Sequence, residues 1–149
     1  VSGLLHTPPP MEFADKAPSY ADYVAYLPND QMQNALADVI RDAAEKSPCV
    51  IIGRCGDYVL RGQPGMVSVF VHAPLEQRIQ RIAKMHNLDE DRARSLVRKT
   101  DRSRANYYSY YTDRDWGRAD NYDLVLDAGR LGIDKSVLLL KAAVAHFAP

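Results

Sequence analysis

Three short apolar runs, separated by amphipathic helical sequence, constrain the fold of this chain more than any other feature. They occupy residues 49–52, 67–71 and 122–126, and the first of them is fully apolar and rich in β-branched side chains. Runs of this kind are typical of strands that are buried on both faces of a parallel sheet. Because helical sequence lies between them, we predict an α/β fold in which all three runs are parallel strands.

Helical periodicity fills the intervals between the runs. Asn29 or Asp30 is the expected N-cap of a helix over residues 30–46, in which apolar side chains recur with the 3.6-residue period. Asp89 is the expected N-cap of a longer helix that reaches about residue 107. Helices placed in this way supply the crossover connections that parallel strands need.

The N-terminal segment differs from the rest of the chain. Residues 1–18 contain a run of three prolines and a further proline at position 18, a pattern that favours an extended linker. We assign residues 19–149 to one partial domain. The chain begins with Val1 and not with methionine, which favours a processed or incompletely represented chain.

Overall composition excludes several classes of function. The 149 residues include 19 basic and 19 acidic side chains, so net charge gives no argument for binding nucleic acid or acidic membranes. No apolar run approaches the roughly 20 residues that span a bilayer, and no secretory signal is visible. We therefore expect a cytoplasmic protein that does not bind membranes and for which nucleic acid is the least favoured partner.

Cysteine and histidine spacing predicts neither a disulfide framework nor a metal site. Cys49 and Cys55 are the two cysteines and do not form a C-x-x-C motif, so we expect reduced thiols. The four histidines have no metal-ligand spacing.

A basic stretch is the strongest charge feature. Residues 78–118 contain eleven basic and six acidic side chains, and Arg98, Lys99, Arg102 and Arg104 fall close together on one predicted helix. Such groups repel one another unless an anion or a carboxylate lies between them. Two interpretations remain open: a polyphosphate-binding surface, or a solvated face whose arginines pair with local acids.

Polar residues also follow the first and third apolar runs. Arg54 and Asp57 come after the first run, and Asp127 to Arg130 come after the third. Ligands of open parallel sheets bind at the carboxyl ends of the strands. An arginine there can bind a phosphate with two hydrogen bonds, although a turn with a surface ion pair is an equal alternative.

An aromatic segment, residues 107–116, follows the basic cluster directly and contains four tyrosines and a tryptophan. Aromatic side chains beside basic ones can stack on nucleobases. Since the chain has no overall positive charge, we favour packing against the domain.

Five motifs taken together resemble the cytidylate kinase-like family. They are CVIIGRCGDYVL at 49–60, VFVHAPLEQR at 69–78, KTDRSRANYY at 99–108, YTDRDWG at 111–117 and NYDL at 121–124. The motifs occur in the family's order and with similar spacing. The resemblance covers roughly residues 20–145.

The resemblance implies a three-layer P-loop kinase fold with a parallel sheet, ATP and Mg²⁺ as cofactors, and nucleotides as substrates. It implies that Arg54, Asp57 and Asp101 bind the acceptor nucleotide and that Arg102 and Arg104 serve catalysis. By the same resemblance, Arg98, Lys99, Asp127 and Arg130 contact ATP, and a basic lid covers residues 98–118. We expect Arg102 and Arg104 to face the cleft, with residues 107–116 as the mobile part of the lid.

One departure from the family is serious, because the chain contains no G-x-x-x-x-G-K followed by serine or threonine. In the family this loop follows the first strand, which separates the strands at Val50 and Val67. Phosphoryl transfer depends on the loop, so we expect this chain alone to be inactive. Either it belongs to a longer kinase, or it is a non-catalytic domain that binds nucleotides or a partner. The acceptor nucleotide and the oligomeric state, with a homodimer as one option, stay open.

Overall fold

The structure is a computed structural model that describes residues 29–147. The linker predicted at residues 1–18 lies outside the described residues. Six helices are present in the described part: α1 (Asp30–Lys46), α2 (Gly56–Val59), α3 (Leu75–His86), α4 (Glu90–Thr112), α5 (Ala128–Leu131) and α6 (Ile133–Phe147). The strands there are β1 (Val69–His72) and β2 (Leu124–Asp127), and a 3₁₀ turn covers Ala119–Asn121.

The two strands pair in parallel, in a register that runs from Val69 opposite Leu124 to His72 opposite Asp127. This pairing confirms the predicted α/β fold with a parallel sheet. Both strands begin two residues later than predicted, because Ser68 and Asp123 join the two segments just before the first paired residues of the sheet. The Asp123 carboxylate accepts hydrogen bonds from the Ser68 amide at 2.8 Å and from the Ser68 hydroxyl at 2.7 Å.

The strand predicted at residues 49–52 is wrong: this run has no regular secondary structure. The Val50 and Ile52 residues are 91% and 89% exposed. Ile51, between them, is partly buried and lies close against Gly56. A strand requires a hydrogen-bonded neighbour, and within residues 29–147 the one sheet consists of β1 and β2.

Two predicted helix starts are confirmed by their caps. The Asn29 side chain accepts a 3.0 Å hydrogen bond from the Met32 amide, and the Asp89 side chain accepts one of 2.9 Å from the Arg92 amide. Helix α4 continues past the predicted residue 107 to Thr112. Its last two turns bury aromatic side chains, so tertiary packing extends the helix beyond its local signal.

Helix α4 packs against two separate parts of the molecule. Its first half buries Ala93 and Val97 against Ile79 of α3. Its second half buries Tyr107 and Tyr108 around Cys55, just before α2. The long helix therefore joins the segment that follows β1 to the turn that follows the first apolar run.

Candidate nucleotide-binding site

The turn at residues 53–55 has an unusual backbone. Gly53, Arg54 and Cys55 all have positive φ angles, of 69°, 54° and 57°. A left-handed conformation costs a residue other than glycine about 1–2 kcal/mol. Two such residues in succession persist only where the surroundings hold them.

Side chains from two distant helices hold this turn. Cys55 is buried among aromatic rings. The Gln33 side-chain amide of α1 donates a 3.3 Å hydrogen bond to the Arg54 carbonyl oxygen. The Tyr107 hydroxyl of α4 donates in turn to Gln33 Oε1. The Arg54 backbone is thus fixed by a chain of hydrogen bonds that reaches α4.

Tyr107 also interacts with the Arg54 side chain. Burial raises the pKa of the Tyr107 hydroxyl, while the positive charge of Arg54 and a hydrogen bond to it act in the opposite direction. Because the net effect is a raised pKa, the hydroxyl stays protonated near neutral pH. Tyr107 is linked through Gln33 to the backbone of Arg54.

Asp57 is engaged by the next tyrosine of the same helix. The Tyr108 hydroxyl donates a 2.7 Å hydrogen bond to Asp57 Oδ2. Burial, the hydrogen bond and the charge of Asp57 all raise the pKa of Tyr108 far above its usual value. Tyr108 is consequently a permanent donor to this carboxylate.

Asp101 lies on α4 and connects it to the end of β1. Its Oδ2 accepts a 2.6 Å hydrogen bond from Arg78 Nη1, and Arg78 Nε donates one of 3.0 Å to the carbonyl oxygen of Ala73. Arg104 lies 4.0 Å from the other Asp101 oxygen. Asp101, Arg104 and Tyr108 have helical i, i+3, i+7 spacing and therefore share one face of α4.

The other predicted basic residues of α4, Arg98, Lys99 and Arg102, do not share the helix face of Arg104. Arg102 is about 200° around the helix from Arg104, so the expectation that both face one cleft conflicts with helical geometry. Arg98 and Arg102 are both exposed and have i, i+4 spacing. Lys99 is exposed as well. Arg98 contributes to lowering the pKa of Glu76, an effect dominated by the hydrogen bond from Arg94.

The third predicted segment lies at the end of β2. Asp127 is opposite His72 in the sheet and caps α5 by accepting a 3.1 Å hydrogen bond from the Arg130 amide. Gly129 lies so close to Pro74 that a Cβ atom there would be 2.6 Å from the proline ring. Strand pairing thus brings the Asp127 turn against the segment that follows β1, while the Arg130 side chain is exposed.

Gln33 and Arg78 belong to this region but were not predicted from the sequence. Gln33 is buried beside Ala37 and Ile40 of α1, and the sequence carries no local signal for this burial. The helical period alone predicts that Met32 and Val39 are buried as well, but these residues are 57% and 64% exposed. Arg78 belongs to a quoted motif, yet a lone arginine on an amphipathic helix gives no sign of its partner.

Taken together, the parallel strands and the helices that follow each of them define an α/β protein. A sequence model of the cytidylate kinase-like family matches residues 9–130. The chain belongs to the cytidylate kinase-like family.

Individual relatives agree with this assignment. The chain is 31% identical over 112 residues to the cytidylate kinase of Methanopyrus kandleri, covering 70% of this chain and 58% of that protein. It is 29% identical over 122 residues to the cytidylate kinase of Haloarcula marismortui, covering 81% of this chain and 63% of that protein. The chain thus spans about three-fifths of the length of these relatives.

A solved structure of an uncharacterized protein from Eubacterium ventriosum is also similar. The two share 26% identity and a TM-score of 0.75, over 82% of this chain and 69% of that one. Separately, none of the helices described between residues 29 and 147 is long and apolar enough to cross a membrane.

Proposed function

We propose that this chain supplies the acceptor-binding part and the lid of an enzyme that transfers a phosphoryl group from ATP to a nucleoside monophosphate, with CMP as the first candidate. The observation that carries the proposal is the linkage of Arg54, Asp57, Asp101 and Arg104 to one helix, α4. Family membership supports nucleotide kinase chemistry, and this linkage supports a specific arrangement of residues for it.

On the acceptor side, Arg54 binds the monophosphate. Its guanidinium has the planar donor geometry that matches a phosphate. Asp101 accepts hydrogen bonds from the acceptor sugar, as in the family motif. To do so it exchanges part of its contact with Arg78, whose second hydrogen bond to the Ala73 carbonyl keeps that arginine in place. Asp57 completes the acceptor side next to Arg54.

On the donor side, Arg104 stabilises the negative charge that spreads over the transferred phosphoryl group. Arg104 takes this role instead of Arg102, because it shares a helix face with Asp101 while Arg102 lies about 200° around α4 from it. Arg98 and Lys99 neutralise the phosphates of ATP, and the turn from Asp127 to Arg130 lies beside the donor base. Closure of α4 over both nucleotides would exclude water from the transfer.

Magnesium fits this arrangement as a companion of the nucleotide. Among residues 29–147, no three histidine, cysteine, aspartate or glutamate side chains form a group that could hold a metal ion. Mg²⁺ is commonly bound by substrate phosphates with one or two carboxylates. In this proposal the phosphates of ATP would hold the ion, which would lower the charge repulsion between them.

The proposal also requires a phosphate-binding loop from a longer protein. Val50 and Ile52 are almost fully exposed, and Val71 of β1 is 53% exposed. In this proposal these exposed apolar residues belong to a surface that another element covers. A strand that carries the phosphate-binding loop, inserted between these residues, would cover them and bring the loop to the carboxyl end of the sheet.

The test is a titration of the isotopically labelled chain with CMP, with cytidine as the control. We expect the amide signals of residues 53–57, 101 and 104 to shift with CMP and to shift less with cytidine, since cytidine lacks the phosphate. Shifts elsewhere, or equal shifts with both ligands, would contradict the acceptor assignment. Binding of CMP with no turnover in the longest natural form of the protein would favour the alternative, a non-catalytic nucleotide-binding domain.

A further inference from the structure

We propose that Tyr107 is a positioning residue that fixes Arg54 for its ligand. The inference rests on the proposed function in one respect, namely that the ligand of Arg54 is the phosphate of a nucleotide. It assigns to the aromatic segment a role in the site that neither base stacking nor simple packing describes. Tyr107 itself does not contact the nucleotide.

Tyr107 is linked to Arg54 by two hydrogen bonds in series. The Tyr107 hydroxyl donates to Gln33 Oε1, and Gln33 Nε2 donates to the Arg54 carbonyl. An arginine side chain has many rotamers, and holding it in one of them before the ligand arrives removes an entropy cost from binding. A fixed backbone at Arg54 restricts the directions from which its side chain reaches the ligand.

The backbone strain at the turn also requires a contact such as the one from Tyr107. Arg54 and Cys55 are consecutive left-handed residues, and strain of this kind is common at ligand-binding sites. The turn needs external contacts to persist. The buried Tyr107 ring packs against Cys55, while its hydroxyl reaches the preceding residue. Removing the hydroxyl alone leaves the packing intact and releases only the polar contact.

The neighbouring tyrosines of the same helix contact other residues. The Tyr108 hydroxyl binds Asp57, and the Tyr111 hydroxyl accepts a 2.6 Å hydrogen bond from the Asn29 amide. Tyr110 is 59% exposed. Substituting each tyrosine by phenylalanine therefore tests a different contact, and Tyr110→Phe is a matched control on the same helix.

The first experiment needs no nucleotide. Hydrogen exchange is measured at the Gly56 amide, which donates a 3.0 Å hydrogen bond to the Gly53 carbonyl across the strained turn. In Tyr107→Phe we expect exchange there to become about three- to tenfold faster, the change that corresponds to one hydrogen bond. Tyr110→Phe should leave it unchanged. Unchanged exchange in Tyr107→Phe would overturn the positioning role.

The second experiment is a double-mutant cycle on CMP binding. Tyr107→Phe should weaken CMP binding by about three- to tenfold and leave cytidine binding unchanged. In an Arg54→Ala background the same substitution should have no further effect, because its influence passes through Arg54. An equal loss in both backgrounds would show a purely structural role and overturn the inference.

The two experiments separate this inference from the proposed function. If the wild-type chain does not bind CMP, the proposed acceptor site fails, and the exchange rate at Gly56 still decides whether Tyr107 holds the turn. If Tyr107→Phe does not fold, Gln33→Met removes the amide that donates to Arg54 and is measured in the same way. Faster exchange in that variant supports the relay, and unchanged exchange overturns it.

Discussion

Tyr108 and Asp57 are 51 positions apart in the chain and are joined by a hydrogen bond of 2.7 Å. Together with the contact between Tyr107 and Gln33, this bond ties the second half of α4 to the turn that carries Arg54. A lid at residues 98–118 would therefore carry the turn with it when it closes.

Packing of the aromatic segment, the favoured interpretation, is confirmed for Tyr107 and Tyr108, which are 6% and 4% exposed. Mobility of the lid remains a prediction.

The two cysteines should differ in reactivity. Burial, assisted by the negative charge of Asp57, raises the pKa of the Cys55 thiol to about 12. The thiolate is the reactive form, so iodoacetamide at pH 8 should label the exposed Cys49 and spare Cys55. Mass spectrometry of the labelled peptides measures this, with urea-unfolded protein as the positive control. Equal labelling of both cysteines in the folded chain would contradict the burial of Cys55.

The same thiol makes stability depend on alkaline pH. A thiol pKa that is higher in the folded state means that the unfolded chain loses its proton first. The stabilisation is fully present below about pH 9, the ordinary thiol range, and is lost as pH rises through about 12. We expect the free energy of unfolding, measured with urea, to fall over this window more steeply in wild type than in Cys55→Ala. Parallel slopes would exclude a contribution from Cys55.

The ion pair between Arg78 and Asp101 should matter more than an exposed pair of equal length. The Arg78–Asp101 and Lys46–Asp42 distances are both 2.6 Å, but the side chains are 34% and 26% exposed in the first pair and 71% and 61% in the second. We expect Arg78→Met to cost about 1–3 kcal/mol of stability. Lys46→Met should cost under about 1 kcal/mol. Urea unfolding measures both, and equal costs would contradict a structural role for Arg78.

Gly129 should not tolerate a side chain. In Gly129→Ala the new Cβ would lie 2.5 Å from Gln77 Oε1 and 2.6 Å from Pro74 Cδ. Overpacking of this kind costs about 1–3 kcal/mol. The Gln77 side chain can move but the proline ring cannot, so Gly129→Ala should remain destabilised in a Gln77→Ala background. Full recovery of stability in the double variant would contradict this expectation. It would mean that the clash is with Gln77 alone and that the Asp127 turn can move away from Pro74.

The run at residues 49–52 offers a test of the corrected strand assignment. Val50→Ala and Ile52→Ala should change the free energy of unfolding by no more than about 0.5 kcal/mol, because both residues are exposed. Ile51→Ala should cost about 1–3 kcal/mol, since Ile51 packs against Gly56. Equal losses at all three positions would mean that the run is covered on both faces in solution.

The chain alone should show no kinase turnover. A coupled assay with ATP and CMP should give less than about 1 s⁻¹, the lower end of typical kinase rates, because the sequence has no phosphate-binding loop motif. A form of the protein that includes such a loop is the positive control. Turnover by the 149-residue chain above this rate would mean that other residues bind the ATP phosphates.

Local signals in the sequence determined the α/β class, the parallel order of the second and third apolar runs, and the starts of α1 and α4. These features follow from periodicity and capping, which involve residues within a few positions of one another. The family resemblance, based on five motifs, was confirmed by the family model that matches residues 9–130.

Only the tertiary structure decided which face of α1 is buried, which partner Asp101 has, and whether residues 49–52 form a strand. Gln33 is buried because Tyr107, 74 positions away, satisfies its amide. The carboxylate of Asp101 binds Arg78 because α3 packs beside α4. A strand exists only where another segment accepts and donates its hydrogen bonds. All three outcomes depend on contacts between residues that are distant in the chain, and no local pattern encodes them.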